Sequence, residues 1–153
     1  AVGNPLLNEG PNFLSGHLEV NNEFGGLTLT NEKYDGKLRA KWISDDFEQL
    51  NTVIGIIATD APLNRMQLKR MSIMCHGSIS RSIHPSHTPM DGDTIFAIST
   101  SDKNYDVYEE ISKLDLTIIS SIASDTFSRA CNRAIFEAKN IGGKPSWKDL
   151  FEN

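Results

Sequence analysis

The chain has 153 residues, 39% of them hydrophobic and 23% charged, a composition that suits a packed globular domain and excludes disordered, fibrous and disulfide-built classes. That length suits one domain, or one piece of one, and is short for two. A net charge of −5 with both signs interspersed provides no broad basic surface for a phosphate backbone, and no apolar run approaches the roughly 20 residues that cross a bilayer. Neither a nucleic acid nor a membrane is therefore expected as a partner.

In chain order, residues 1–26 are rich in Asn, Gly and Pro, with turn pairs at Asn4-Pro5, Gly10-Pro11, Asn21-Asn22 and Gly25-Gly26, and read as loop rather than core. The opening Ala1-Val2-Gly3-Asn4-Pro5 carries neither an initiator Met nor the charged-then-apolar pattern of a signal segment. It reads as the product of a cut in a longer precursor, and a cytoplasmic location is expected. Short β-like stretches follow at 27–30 and 38–43, separated by Tyr34-Asp35-Gly36.

From Thr52 the texture changes. Residues 52–59 form a nearly unbroken apolar, largely β-branched run, the pattern of a strand buried on both faces. Asp60-Ala61-Pro62 ends it, and Leu68, Met71, Cys75, Ile79 and Ile83 then recur at spacings of three and four, predicting a helix over 63–83 with one core-facing stripe. Met66, Met71 and Met74 are expected to fill the core beside it. His84-Pro85 stops the helix. A polar loop leads to Asp91-Gly92-Asp93, and residues 94–100 predict a second buried strand. Residues 107–139 read as helical, with Ile119, Ile122, Thr126, Ala130 and Ala134 along one side, small enough for close approach to a sheet. Gly142-Gly143 and Pro145 close it, and Trp147 and Phe151 are possible anchors of the tail. Cys75 and Cys131 lack a C-x-x-C spacing and read as small buried side chains, not as a zinc site or a disulfide.

The densest set of reactive residue types is the stretch 84–93, with His84, His87, Asp91 and Asp93 beside a strand end. A solvated Asp-Gly turn is the plain alternative. A divalent-ion site is another, since the residue types suit one, although the spacing matches no strong metal motif. Asn51-Thr52 carries little information by itself, because Thr is simply a good strand former. His76, in mid-helix, reads as a structural or surface histidine.

Two extended segments add a resemblance. Asn51-Thr52-Val53-Ile54-Gly55-Ile56-Ile57-Ala58-Thr59-Asp60-Ala61-Pro62-Leu63 is similar to the start of the small subunit in the family of DmpA-type aminopeptidases and nylon-oligomer hydrolases, and His87-Thr88-Pro89-Met90-Asp91-Gly92-Asp93-Thr94 resembles that family's His-Thr-x-x-Asp-Gly-Asp-Thr segment. Pro145-Ser146-Trp147-Lys148-Asp149-Leu150-Phe151 resembles its ending. Two matches in order at a family-like separation are more specific than either alone.

The resemblance implies an α/β fold, an α/β/β/α sandwich of two mixed sheets covered by helices, of which this chain is the C-terminal part. Residues 1–51 would end the large-subunit region and residues 52–153 would form the small subunit. It further implies autocatalytic cleavage between Asn51 and Thr52, after which Thr52 acts as an N-terminal nucleophile on peptide-like or amino-acid amide bonds. Asp91 and Asp93 would match the acidic pair that orients it. No cofactor or metal is implied. The expected partners are the upstream large-subunit segment of the same precursor, a small peptide or amide substrate, and further copies in a homo-oligomer. An oxyanion-hole Asn is expected immediately upstream of Ala1, or shifted to Asn4. Acyl transfer of the ornithine acetyltransferase type, and an uncleaved binding or structural homologue, are the alternatives.

Overall fold

The computed structural model describes residues 1–27, 30–40, 52–102 and 111–152. Two parallel strands, β1 (Ile54–Thr59) and β2 (Thr94–Ser99), pair in register from Ile54 opposite Thr94 to Thr59 opposite Ser99. Helix α1 (Arg65–Ser82) connects them, α2 (Lys113–Phe136) follows, and a short α3 (Trp147–Phe151) ends the described chain. The order strand, helix, strand, helix is the one expected, and the architecture is α/β.

Local chemistry sets the boundaries. Asn64 caps α1, its side chain accepting from the N–H groups of Met66 and Gln67 while Gln67 reaches back to the Asn64 N–H, a reciprocal arrangement that satisfies otherwise orphaned helix donors. Ser146 and Asp149 form the same box at α3, and the Ser112 hydroxyl accepts from the Asp115 N–H at the start of α2. At its other end α1 stops at Ser82, ahead of His84-Pro85.

The stripe foreseen on α1 is where the main core forms. Met71, Cys75 and Ile79 are fully buried and pack with Leu63, Ile57, Ile95, Phe127 and Ala1. Gly55 makes room for Phe127: a Cβ there would stand 2.2 Å from the Phe127 ring, so the bare backbone lets α2 close onto β1. Met71 fills this core, but Met66 lies exposed on the other side of α1.

Helix α2 presents a different face from the one expected. Of the expected side only Ile119 packs against the core, half-buried; Ile122, Thr126, Ala130 and Ala134 are exposed, and the buried positions are Ser120, Phe127, Ser128, Asn132 and Phe136. The reason is a polar seam between the helices. Ser78 on α1 bonds the Ser124 carbonyl at 2.7 Å and its hydroxyl at 2.8 Å, and Ser15 links Ser82 to Asn132, both at 3.0 Å. Small side chains let the helices approach, and each hydroxyl that finds a partner avoids the penalty of a buried unpaired group. Apolar periodicity cannot register such a seam.

Residues 1–27 are irregular, as read, with short 3-10 turns at Leu7–Glu9 and Gly16–Leu18. They are nevertheless not peripheral. Phe13 and Phe24 join Phe136 and Trp147 in a second apolar cluster, with Phe13 and Trp147 stacked at 5.8 Å, so Trp147 is an anchor as expected. The β-like reading of 27–30 and 38–43 falls partly outside the described residues; those described form no strand beyond a single bridge between Gly3 and Ala40.

The strands were expected to be buried on both faces. In the structure one face packs on α1 and α2, and the other leaves Ile54 74%, Ile56 61% and Phe96 57% exposed, with Ile98 beside them. The described residues cover one face only. No helix among them is long and apolar enough to cross a membrane.

Candidate active site

The site forms where the start of β1 meets the start of β2. Parallel pairing brings both N-terminal ends to the same edge, and the Thr94 N–H donates to the Val53 carbonyl at 2.9 Å, extending the ladder one step below β1. Thr52 is exposed at that edge.

 Its hydroxyl lies against the Asp91-Gly92-Asp93 turn: a Cβ at Gly92 would stand 3.1 Å from Thr52 Oγ1 and 3.8 Å from its methyl group. Asn51 lies outside the described residues.

The two carboxylates flank that glycine and are buried, with side-chain exposures of 1% for Asp91 and 2% for Asp93. Asp93 Oδ1 accepts from the Val53 N–H at 2.9 Å and from the Ala1 nitrogen, which also lies 3.8 Å from Asp91 Oδ1. Asp91 Oδ2 accepts from the Thr88 N–H at 2.8 Å and closes the turn. Asp91 Oδ1 and Asp93 Oδ2 are buried and accept no hydrogen bond among the described residues. Burial disfavours the Asp93 carboxylate, and the hydrogen bond from the Val53 N–H and the neighbouring His87 favour it.

His87 sits beside this pair, its Nδ1 3.8 Å from Asp93 Oδ2. His84 points elsewhere: its main chain bridges to Asn4 and its ring packs edge-on to Tyr34 at 5.7 Å. The four candidate metal ligands of the sequence are thus divided, and no group of three His, Cys, Asp or Glu among the described residues is placed to hold a metal ion. Asn4 is engaged locally, its side-chain oxygen accepting from the Leu6 N–H at 2.8 Å. The participant that sequence reasoning missed is the Val53 N–H, a main-chain donor that no side-chain pattern marks. Cys131 on α2 faces the same region, and burial together with the Asp93 charge pushes its thiol up to about 11.

Chemically, the arrangement sets an exposed hydroxyl beside two buried carboxylates, each with an acceptor oxygen still to be satisfied. Such a set can orient a nucleophile and receive the N–H groups of a cation.

Comparison with known proteins identifies relatives. The model of Peptidase family S58 matches residues 8–147. An uncharacterized aminopeptidase of Mycobacterium tuberculosis (strain ATCC 25618 / H37Rv) is 35% identical over 107 residues, 66% of this chain and 31% of its own length. One from Mycobacterium leprae (strain TN) is 33% identical over 108 residues, 67% of this chain and 30% of its own. A 6-aminohexanoate-oligomer endohydrolase of Paenarthrobacter ureafaciens is 40% identical over 52 residues, 34% of this chain and 15% of its own. The matched part of the chain spans less than a third of these relatives' length.

Proposed function

The chain belongs to peptidase family S58, and on that premise we propose that it is the C-terminal part of a self-processing hydrolase of peptide-like or amino-acid amide bonds, with Thr52 as nucleophile. The observation that carries the reading is the placement of the Thr52 hydroxyl against Gly92, between two buried carboxylates.

In the precursor the Thr52 nitrogen is tied up in the amide to Asn51. The Thr52 hydroxyl attacks the Asn51 carbonyl carbon, the C–N bond breaks as the nitrogen takes a proton, and water hydrolyses the resulting ester. This frees Thr52 with an α-amino group, a base already beside its own hydroxyl. In turnover that amine accepts the hydroxyl proton as Oγ1 attacks the substrate carbonyl. The leaving amine departs with a proton, and a second water releases the acyl group. Asp93 aligns the chain through the Val53 N–H, and the remaining oxygens of Asp91 and Asp93 receive the N–H groups of the new amino terminus.

Residues 52–153 then form the small subunit and residues 1–51 the end of the large one. The exposed Ile54, Ile56, Phe96 and Ile98 face supports a second sheet, contributed by the upstream part of the precursor, because an apolar sheet face of this kind is stable when another layer covers it.

The test is the intact mass of the full-length gene product under denaturing conditions. Two fragments meeting at Asn51/Thr52, replaced by one uncut mass in Thr52→Ala, are expected. An uncut wild-type chain that stays uncut on incubation overturns the reading in favour of a binding or structural homologue.

A further inference from the structure

His87 occupies a backbone conformation that needs compensation. Its φ is +56°, in the left-handed region that non-glycine residues enter at a cost. Its ring rests near that of His76 on α1, with centroids 5.3 Å apart, and its Nε2–H donates to the His76 carbonyl at 2.9 Å. A carbonyl can only accept, so this bond assigns a proton to Nε2. The other nitrogen, Nδ1, is turned toward Asp93 Oδ2 at 3.8 Å, and that oxygen is buried and without a hydrogen bond among the described residues. Without a proton between them, Nδ1 and Oδ2 present lone pair to lone pair. A proton on Nδ1 turns that repulsion into an ion pair at 3.8 Å.

We propose that His87 is a positioning residue for Asp93, its protonated ring facing Oδ2 at ion-pair distance so that Oδ1 stays on the Val53 N–H and keeps Thr52 in place. The inference rests on the reading of Thr52 and Asp93 given above. It deepens that reading by adding a third residue and a dependence on pH. The groups facing the His87–Asp93 pair are His76 on α1, Asp91 and the Ala1 nitrogen around Asp93, and Cys131 on α2. His87 is 37% exposed and can exchange its proton with solvent. With the Nδ1 proton removed, Oδ2 loses its counter-charge and the alignment loosens.

The experiment uses the full-length gene product made by cell-free translation, with self-cleavage followed by denaturing mass spectrometry across a range of pH, and with His87→Ala, His87→Asn, Asp93→Asn and Thr52→Ala as variants. His87→Ala is expected to cleave about 10- to 100-fold more slowly, the scale of a misplaced reacting group, and to lose the decline toward high pH. Asn tolerates the left-handed backbone and carries a non-titrating N–H donor. His87→Asn should therefore recover most of the rate with a flat profile. Ring ¹⁵N chemical shifts provide a readout apart from activity: Nδ1 of His87 should be protonated at the pH of fastest cleavage and should change in Asp93→Asn.

A His87→Ala rate equal to wild type, or a deficit identical at every pH, overturns the proposal, as does an unprotonated Nδ1 at the pH of fastest cleavage. If Thr52→Ala still cleaves, the nucleophile assignment fails instead. If the wild-type chain never cleaves, the ring shifts and their response to Asp93→Asn decide the His87–Asp93 ion pair on their own.

Discussion

Gly92 stands between Asp91 and Asp93 with Thr52 against its Cα, and an added methyl group would come within 3.1 Å of Oγ1. That contact is tight enough to move the hydroxyl by a few tenths of an ångström. Gly92→Ala is therefore expected to slow appearance of the Asn51/Thr52 fragments about tenfold or more, with thermal melting nearly unchanged because Gly92 is exposed. Fragment mass against time checks the first part and a melting curve the second. A Gly92→Ala chain that cleaves at the wild-type rate removes Thr52 Oγ1 from the chemistry. At this scale the residues by themselves pointed only to the 84–93 stretch, and Thr52 was singled out with Asp91 and Asp93 through the family resemblance; the structure brings Thr52 against the Asp91-Gly92-Asp93 turn. The His87 backbone was not legible. Its conformation depends on a carbonyl of α1 eleven positions earlier, and neighbouring residue types say nothing about that contact.

Among the elements, both strands and α1 were legible because a β-branched run and a single apolar stripe each point to one solution. The burial of α2 was misjudged, since serine hydroxyls and Asn132 line its seam with α1 and the exposed Ile118 and Ile122 outweigh them in any apolar count. Capping pairs at Asn64/Gln67 and Ser146/Asp149 were written in the sequence and mark starts that apolar periodicity leaves vague. The helices also determine cysteine chemistry. Burial pushes Cys75 on α1 and Cys131 on α2 up from 9.0 to about 11. Both thiols should stay protonated at neutral pH and react slowly with iodoacetamide until the protein unfolds. The sign of the linkage follows. Unfolded cysteines ionise first as pH rises, so this part of the stability is complete below about pH 9 and is lost between about 9 and 11. Denaturant midpoints measured across that window, for wild type and for Cys75→Ser with Cys131→Ser, check it; an alkaline limb equally steep in both would contradict it.

On the scale of the whole molecule, the alternation of strand and helix was legible, whereas the exposed sheet face was not, because an apolar strand reads the same whatever covers it. Nor did the turn-rich opening of the chain reveal how firmly it is held. Phe13 and Phe24 enter the aromatic cluster, Ser15 bonds across to Ser82 and Asn132, Glu23 pairs with Arg129, and the Pro11 carbonyl accepts from the Trp147 indole at 3.2 Å. A break at Asn51/Thr52 cuts none of these ties. The two pieces should therefore travel as one particle under native conditions and separate only in denaturant. Unfolding then changes its molecularity: the cut protein comes apart into two chains, and its melting temperature should climb with protein concentration, while that of uncut Thr52→Ala should not. Calorimetry over a hundredfold dilution would show it, and a concentration-independent midpoint for the cut form would mean that the aromatic cluster does not hold the halves together. Dilution, which leaves an intact chain indifferent, would become a threat to a cut one.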